Sequence, residues 1–384
     1  MSKSLLVSPI YFPPQVGGIS HFMASIAAAL GPARVCCLTG VPSRFADGER
    51  RSGGLRIYRR PLAFSGSRGL QALGFGAAVT EIMMRDRPKV VQLALAYDGY
   101  LGLWLKRWLR LPVLIYAHGN EILEAMQSEW DIPRRALRSA DRVLANSRFT
   151  KELVHKAGVD PDRIDVVHPG CDSERFRPRE PEPELRRRLL GGRDHERVVL
   201  TIGNLVARKG HDMVIRALPR LRRTIPDVTY LIVGDGPYRP DLERLAAAAG
   251  VADRVVFAGR VPEEDLPRVY ALGDVFIMPS REQADLCDVE GFGLVFLEAG
   301  ACARPVVGGR SGGIPDAIVE GQTGFLVDPH DPEAIAVTLA RVLGDRGLAQ
   351  RLGQQGRERA VGEFAWSRVA DRVQGIVDSV CRPR

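Results

Sequence analysis

Two glutamates separated by seven residues are the most informative chemical feature of this sequence. Glu290 and Glu298 lie on either side of a glycine turn at 291–293, which follows the apolar run 275–278. Such a turn lets backbone N–H groups approach a ligand closely, and the helix predicted over 294–303 adds positive partial charge at its N-terminus. Carboxylates on both sides of the turn suit a ligand that carries hydroxyls and phosphates.

The surroundings of Glu298 strengthen this interpretation. The first turn of the predicted helix, 294–297, is apolar throughout, which is typical of a buried helix. A carboxylate within a buried helix needs a hydrogen-bonding partner. The spacing of the two glutamates alone is also compatible with an ordinary surface helix and a solvated carboxylate.

Other groups suited to phosphate binding lie elsewhere in the chain. Arg208 and Lys209 stand in a predicted loop between a strand and a helix. The two cations could neutralise a diphosphate, or the loop could be a solvated basic turn. Gly17 and Gly18 precede a helix that we expect Ser20 to cap. The glycine loop could cradle a phosphate, or it could be a plain strand-to-helix turn. Their loop lacks the G-x-G-x-x-G spacing of dinucleotide-binding proteins.

A histidine, His118, ends the apolar run 112–118. The chain alternates strands with helices, which predicts parallel, doubly wound sheets, and ligands of such sheets bind at the carboxyl ends of the strands. A lone histidine is more often structural, but this position favours contact with a ligand.

The alternation forms two series, separated by a segment rich in proline, arginine and glutamate. A chain of 384 residues is long enough for two domains. We expect an N-terminal Rossmann-like domain over 1–178, a linker over 179–196 and a C-terminal Rossmann-like domain over 197–362. The C-terminal helical segment over 363–384 is expected to pack back toward the N-terminal domain.

The composition is that of a globular protein, and the net charge of +8 suits anionic partners such as nucleotide sugars, acidic lipids or nucleic acid. The six cysteines include no C-x2-C pair, which argues against zinc and for a reducing compartment. No apolar run approaches the roughly 20 residues that span a bilayer, so we expect a cytoplasmic protein. The segment 99–110 mixes aromatic, apolar and basic residues, which suits peripheral contact with an anionic membrane or an internal crossover helix.

Together these motifs resemble those of the retaining glycosyltransferases of family 4, which have the GT-B fold. The motifs that carry the resemblance are Gly17-Gly18, His118, the Arg-Lys-Gly turn at 208–210, the glutamate pair and the segment 304–328. They span nearly the whole chain, and the segment 278–298 is most similar to that of bacterial phosphatidylinositol mannosyltransferases. The resemblance implies an α/β fold of two Rossmann-like, doubly wound parallel-sheet domains that face a central cleft.

The family implies a role for each matching residue. Glu298 would bind the ribose hydroxyls of the nucleotide, Glu290 the donor sugar and Lys209 the diphosphate. Further donor contacts are implied for Gly17 and Gly18 (phosphates), His118 (sugar, near the reacting carbon), the backbone of Phe292, Gly293 and Leu294 (sugar hydroxyls and phosphates), and the backbone of Arg260 and Val261 (base). The residues expected to act in catalysis are His118, Glu290, Arg208 and Lys209.

The chain departs from the family pattern at two places. Many relatives have an arginine where this chain has Asn204, and we hypothesise that Arg208 supplies the missing phosphate charge. The acidic loop 281–288 has no counterpart in the pattern, and its role stays open.

The reaction implied is transfer of a hexose, with mannose from GDP-mannose as the first expectation, to a hydroxyl of a lipid or glycan acceptor. UDP-glucose and UDP-N-acetylglucosamine are the alternative donors. Cations and helix N-termini can stabilise the charge that builds on the leaving diphosphate, so we expect no metal or other cofactor and activity that survives a chelator. Front-face attack is preferred over a covalent intermediate.

Two alternatives from other classes remain at this stage. A sugar-nucleotide epimerase shares the two-domain architecture, and a non-catalytic nucleotide-binding protein fits the charge. The sequence contains no recognised nucleic-acid-binding motif, so we expect no nucleic-acid partner.

Overall fold

The computed structural model describes residues 1–15, 17–40, 48–52, 54–60, 68–129, 131–191, 197–283 and 286–382. It divides into two compact units. Unit 1 comprises Met1–Gly170 together with Trp366–Arg384, and unit 2 comprises Cys171–Ala365. The chain therefore leaves unit 1, builds the whole of unit 2 and returns.

The first segment of unit 1 contains, in chain order, β1 (Ser4–Ser8), α1 (Gly18–Leu30), β2 (Val35–Gly40), β3 (Gly48–Ser52), β4 (Leu55–Arg60), α2 (Arg68–Arg85), β5 (Val90–Leu93), α3 (Gly99–Leu109), β6 (Val113–Ala117), α4 (Asn120–Gln127), α5 (Ile132–Ser139), β7 (Arg142–Ala145), α6 (Arg148–Lys156) and β8 (Ile164–Val166).

Unit 2 contains α7 (Pro183–Leu190), β9 (Arg197–Ile202), α8 (His211–Thr224), β10 (Val228–Val233), α9 (Arg239–Ala248), β11 (Val255–Gly259), α10 (Leu266–Tyr270), β12 (Val275–Met278), α11 (Leu294–Ala301), β13 (Val306–Gly309), α12 (Ile314–Ala317), β14 (Gly324–Val327), α13 (Pro332–Gly344) and α14 (Arg346–Glu363). The last helix, α15 (Trp366–Cys381), belongs to unit 1.

Each unit is built on one sheet. In unit 1 the strand order is β3-β4-β2-β1-β5-β6-β7-β8, and every strand pair is parallel except β3 with β4. In unit 2 the order is β11-β10-β9-β12-β13-β14, with parallel pairs throughout. The fold class predicted from the alternation of strands and helices is confirmed, because both units are parallel α/β structures.

The apolar runs of the sequence become buried central strands. All five residues of β6 are buried, as are all six of β10. Apolar clusters lie on both faces of each sheet, which is why these strands are continuously apolar rather than alternating. The exception is the edge of unit 1, where the polar strand β3 pairs antiparallel with β4 and was not anticipated from the sequence.

The segment predicted to be a linker, 179–196, differs from the structure. Its described part includes α7, whose Leu185 and Leu190 are buried in the core of unit 2. Leu185 and Leu189 are four residues apart on one helix face, so a segment of polar composition still presents enough apolar surface to dock. Residues 192–196 lie outside the described residues, and the units divide at 170/171 and 365/366.

The C-terminal helix α15 packs against α1 within unit 1. Val369, Val373 and Val377 recur every four residues and are buried in one apolar cluster. At the start of α15, the Trp366 ring lies so close to Gly170 that a Cβ at position 170 would come within 2.5 Å of it. Of the helices in the described part of the chain, none is long and apolar enough to cross a membrane.

Candidate functional site

The direction of the strand connections reverses in unit 2 between β9 and β12. From β9 the chain proceeds outward through β10 to β11, and it then returns to β12 beside β9 before proceeding the other way. In such sheets the loops after the two strands at the reversal are the usual ligand-binding position. Arg208 and Lys209 follow β9, and Glu290 follows β12.

The structure brings these three residues together. Arg208 Nη1 and Lys209 Nζ both donate to Glu290 Oε2, at 2.7 and 2.5 Å. Arg208 Nε also lies 2.7 Å from Asp288 Oδ1. The side chains of Arg208, Lys209 and Glu290 are only 14–16% exposed, so their mutual attraction is less screened by solvent than that of a surface pair.

The ionisation of Glu290 follows from these contacts. Burial acts to raise the pKa of Glu290, but Lys209 and Arg208 outweigh it and hold the pKa below its ordinary value. Glu290 is therefore ionised at neutral pH, with two cations poised beside it.

Two glycines fix the backbone around this cluster. Gly210, which ends the 3₁₀ turn Ala207–Lys209, has φ 75°, and a Cβ there would lie 2.2 Å from the carbonyl oxygen of Pro279. Gly312 has φ 53°, and a Cβ there would lie 2.4 Å from the carbonyl oxygen of Glu290. Only glycine fits such positions, and the next residue, Gly313, donates its N–H to that same Glu290 carbonyl at 2.9 Å.

The second glutamate, Glu298, lies about one turn into α11. Its Oε2 accepts a hydrogen bond of 2.7 Å from the hydroxyl of Tyr270, which is fully buried at the end of α10. Burial raises the pKa of Glu298, and the hydrogen bond from Tyr270 reduces that rise without cancelling it. The two glutamates therefore have pKa values displaced in opposite directions.

The N-terminus of α11 lies between them. Gly293 caps the helix with φ 90°, and Leu294 is its first residue. The amides of a first helical turn have no intrahelical carbonyl to bind, so they can bind a ligand. Phe292 is buried and contacts the ring of Phe364 at 5.9 Å between centroids, which leaves only its backbone for such a role.

The loop 281–288 is anchored at both ends to the Arg208 region, although residues 284–285 lie outside the described residues. At its start, Arg281 forms a two-point ion pair with Asp212 (3.0 and 3.1 Å), and its N–H donates to the carbonyl of Arg208. At its end, Asp288 contacts Arg208. The loop thus holds the guanidinium of Arg208 in place.

The remaining predicted residues of unit 2 also lie at carboxyl strand ends. Arg260, which is exposed, and Val261, which is half-buried, follow β11 at the edge of the sheet. Asn204, where many relatives have an arginine, is exposed in the loop after β9.

Unit 1 gathers Gly17, Gly18 and His118 on its own sheet edge. The connections reverse between β1 and β5, and the loop after β1 ends in Gly17 and Gly18. Phe22 on α1 contacts the His118 ring edge-on at 5.6 Å, so the helix that starts at Gly18 lies beside His118. The expected cap, Ser20, is wrong, because Ser20 is buried inside α1 and Gly17 precedes the helix.

The imidazole of His118 is neutral at physiological pH. Burial lowers its pKa to about 4, although the hydrogen bond to the Ala94 carbonyl opposes that shift. The contact is 3.1 Å from Nε2, and since a carbonyl can only accept, Nε2 carries the proton and Nδ1 is an acceptor. Glu121 accepts a hydrogen bond from the His118 backbone N–H, and burial raises the pKa of this glutamate to about 7.

In unit 2 the structure thus brings Arg208, Lys209 and Glu290 into contact, whereas Arg260 and Val261 share only the sheet edge with them. Sequence reasoning missed Tyr270 as the partner of Glu298, Asp288 as a partner of Arg208, and the hold that Gly312 and Gly313 exert on Glu290. The acid two residues before Glu290 and the paired glycines were visible signals, whereas nothing in the sequence marked Tyr270. In the described part of the chain, no group of three or more His, Cys, Asp or Glu side chains is arranged to hold a metal ion.

Two family models match the chain. The model described as "Glycosyltransferase Family 4" matches residues 16–175, and that described as "Glycosyl transferases group 1" matches residues 184–359. The two matches correspond closely to the first segment of unit 1 and to unit 2.

The names of similar proteins are consistent with both family models. The GDP-mannose-dependent alpha-(1-6)-phosphatidylinositol monomannoside mannosyltransferase of Mycolicibacterium smegmatis is 34% identical, over 95% of this chain and 96% of that protein. A D-inositol 3-phosphate glycosyltransferase of Corynebacterium efficiens is 36% identical over 73% of this chain and 68% of that protein. Among solved structures, sucrose-phosphate synthase of Thermosynechococcus elongatus has the same fold, with a TM-score of 0.80, 23% identity and 99% of both chains covered.

Proposed function

The chain belongs to glycosyltransferase family 4, and on that premise we propose that the hexose it transfers is mannose, taken from GDP-mannose with retention of configuration. Family membership makes the protein a hexose-transferring enzyme, which sets aside the epimerase and the non-catalytic binder. The choice of mannose is supported by the relative that is 34% identical over nearly the full chain, whose name specifies GDP-mannose.

The observation that carries the mechanism is the shared contact of Arg208 and Lys209 with Glu290 Oε2. In glycosyl transfer, negative charge builds on the departing diphosphate. Two cations already held at one point need little reorganisation to receive that charge. A bound diphosphate takes the two cations, and Glu290, which loses them, then accepts hydrogen bonds from the hydroxyls of the donor sugar.

The nucleoside is placed by the other end of the segment 290–298. Glu298, with one oxygen occupied by Tyr270, offers its remaining acceptor capacity to the ribose diol. The first amides of α11 bind the phosphates, and the backbone of Arg260 and Val261 contacts the base. In this arrangement the segment 290–298 has a cation-rich end that binds phosphate and an acceptor-rich end that binds hydroxyls.

Retention by front-face attack fits these contacts. With the donor bound, Glu290 is occupied by the hydroxyls of the donor sugar and Asp288 lies beside Arg208, and a carboxylate engaged in this way is a poor nucleophile. The departing phosphate instead accepts the proton of the acceptor hydroxyl, and the new bond forms on the same face of the sugar. His118, neutral and with Nδ1 as an acceptor, binds a sugar hydroxyl at the edge of unit 1. A sugar trapped covalently on Glu290 would favour the two-step route.

The acceptor is proposed to be a polyol that bears a phosphate, as in an inositol lipid. The names of both relatives described above contain an inositol phosphate or a phosphatidylinositol. Peripheral contact with a membrane from the cytoplasmic side belongs to the same proposal, because α3 exposes Trp104, Trp108 and Leu109 by 39, 70 and 38%. Aromatic side chains of this kind favour the membrane interface.

A panel of nucleotide sugars tests the donor. A ligand that binds only the native state raises Tm by mass action, so GDP-mannose should give the largest increase. The transferred product should be an α-mannoside by NMR, made from GDP-mannose and an inositol lipid. A larger Tm increase and turnover with UDP-glucose or UDP-N-acetylglucosamine would replace mannose in the proposal.

A further inference from the structure

A second group of cations lies in unit 1, outside the residues discussed so far. A cavity of about 440 Å³ is lined by Arg148, Lys151, Glu152, Val166, His168 and Arg372. The two arginines and the lysine carry permanent positive charge at neutral pH, and Glu152 offsets one of the three. The lining therefore remains cationic.

This cavity lies at the same sheet edge as His118. Arg148 and Lys151 belong to the first turns of α6, which follows β7, and His168 follows β8. His118 follows β6, two strands away in the order β6-β7-β8. Neighbouring strands are about 4.8 Å apart, so about 10 Å separates the two positions, a distance on the scale of a phosphorylated polyol.

Two of the lining cations have no acidic partner. Among the described residues, no carboxylate forms an ion pair with Lys151 or Arg372. Elsewhere in unit 1, Lys106 pairs with Asp141 at 2.9 Å, and Arg34 pairs at 2.8 Å with Asp371, the residue adjacent to Arg372. Like charges that converge on one cavity repel each other, and an anion bound there removes the repulsion.

The helix that carries two of the cations, α6, adds further positive charge to the cavity. α6 has nine residues, and its macrodipole places positive partial charge at the end where Arg148 lies. The hydroxyl of Ser147 accepts from the N–H of Thr150, so the helix start is fixed and the cations above it are held by a rigid element.

We propose that this cavity binds the phosphate group of the acceptor, while the acceptor hydroxyl that receives the sugar lies toward His118. The inference rests on the proposed function for the reaction, but the site itself is defined by charge and shape. A phosphate monoester or diester has the required chemistry, whether it comes from a free polyol phosphate or from a lipid headgroup.

The test uses the full chain and two double variants of equal charge. Lys151→Gln with Arg372→Gln removes two cations from the cavity, and Arg135→Gln with Lys156→Gln removes two exposed cations outside it. Calorimetric titration with myo-inositol 1-phosphate should show a Kd raised on the order of tenfold or more in the cavity variant and unchanged in the control. If the cavity variant and the control variant have the same Kd, whether or not that Kd differs from the wild-type value, the proposal is overturned.

Two further arms separate the possible sources of failure. The affinity for GDP-mannose, measured on the same variants, should not change. If the wild type transfers no mannose, the proposed function fails, but the titration with inositol phosphate still tests whether the cavity binds a phosphate.

Co-sedimentation with phosphatidylinositol vesicles and with phosphatidylglycerol vesicles distinguishes the lipid sources. Loss of phosphatidylinositol binding alone in the cavity variant supports a headgroup site, whereas equal loss on both vesicles would make the cavity a general membrane contact and refute it.

Discussion

The two ends of the segment 290–298, which contains the start of α11, put the same side chain in opposite electrostatic settings. Glu290, before the helix, is neutralised by Arg208 and Lys209, and its pKa is lowered. Glu298, inside the helix, has the hydroxyl of Tyr270 as its hydrogen-bond donor, and its pKa is raised. Eight positions along the chain therefore separate a carboxylate that stabilises the unliganded protein from one that is costly to bury.

The difference matches what each end must bind. A diphosphate brings its own negative charge, so that end needs cations, and the protein must neutralise them while the ligand is absent. A ribose brings only hydroxyl donors, so that end needs an acceptor whose capacity is not already used. The free-energy cost of burying the Glu298 carboxylate is then offset only when the ribose hydroxyls bind. The residue therefore favours ligand binding but lowers the stability of the unliganded protein.

The largest effect is expected from Glu290→Gln. The amide cannot hold two cations by charge and is a weaker acceptor for the donor sugar, so kcat/KM should fall on the order of 10². Steady-state transfer measures it, and Glu282→Gln, an exposed acid in the same loop, should leave the rate unchanged. A Glu290→Gln rate within threefold of wild type would mean that the sugar does not bind at this end of the segment 290–298.

The next effect concerns the cations. Lys209→Ala should weaken GDP binding by roughly tenfold to a hundredfold, because a charge-assisted contact to the diphosphate is lost. Arg208→Ala should weaken it as well if Arg208 supplies the charge missing at Asn204, and adding Asn204→Arg to that variant should restore affinity. Calorimetry decides, since unchanged affinity in Arg208→Ala removes the replacement hypothesis.

A smaller effect is expected at the ribose end. Tyr270→Phe keeps the ring contacts with Phe176 and Phe276, both 5.8 Å between centroids, and removes only the hydroxyl that orients Glu298. The Kd for GDP should rise about fivefold to tenfold, whereas that for 2′,3′-dideoxy-GDP should not change. An equal loss with both ligands would show that Tyr270 acts only through packing.

The smallest effects are on stability, and they should have opposite signs. A raised pKa means that folded Glu298 binds protons more readily than the unfolded chain, so its unfavourable contribution grows as pH rises through the folded pKa. The lowered pKa of Glu290 means that its stabilising contribution is present above the unfolded pKa and is lost as pH falls through the folded pKa. At pH 7, Glu298→Gln should raise Tm by on the order of 2 °C, and Glu290→Gln should lower it by about 5 °C.

Thermal denaturation from pH 4 to pH 8 checks both signs. The gain from Glu298→Gln should shrink as pH falls toward the unfolded pKa of the carboxyl, where the wild-type residue is protonated as well. A loss of stability in Glu298→Gln at pH 7 would contradict the contrast between the two glutamates.

The sequence was informative where local pattern determines structure. Apolar runs located the strands, the glycine turn located the start of α11, and the spacing of Glu290 and Glu298 followed from it. The sequence also showed that a buried Glu298 needs a partner, but not that the partner is Tyr270, 28 residues away. Which side chain meets a buried carboxylate depends on how helices pack, and that is not encoded in neighbouring residues.

The same limit explains the division between the units. A polar composition suggested a linker over 179–196, but docking of α7 is decided by a few leucines that meet the core of unit 2. Likewise, the ion pair of Arg281 with Asp212 joins positions 69 residues apart, so the attachment of the loop 281–288 was not visible in its own acidic sequence.

The return of α15 to unit 1 has a consequence for how the protein is made. On the ribosome, every residue of unit 2 emerges before Trp366, so the inserted unit can complete its core while the enclosing one still lacks a helix. Until synthesis reaches Val377, the apolar side of α1 that α15 covers stays open to water and to chaperones. Nascent chains stalled just before and just after this helix should therefore differ in the protease resistance of residues 1–170 of unit 1, whereas the protease resistance of unit 2 should be the same in both.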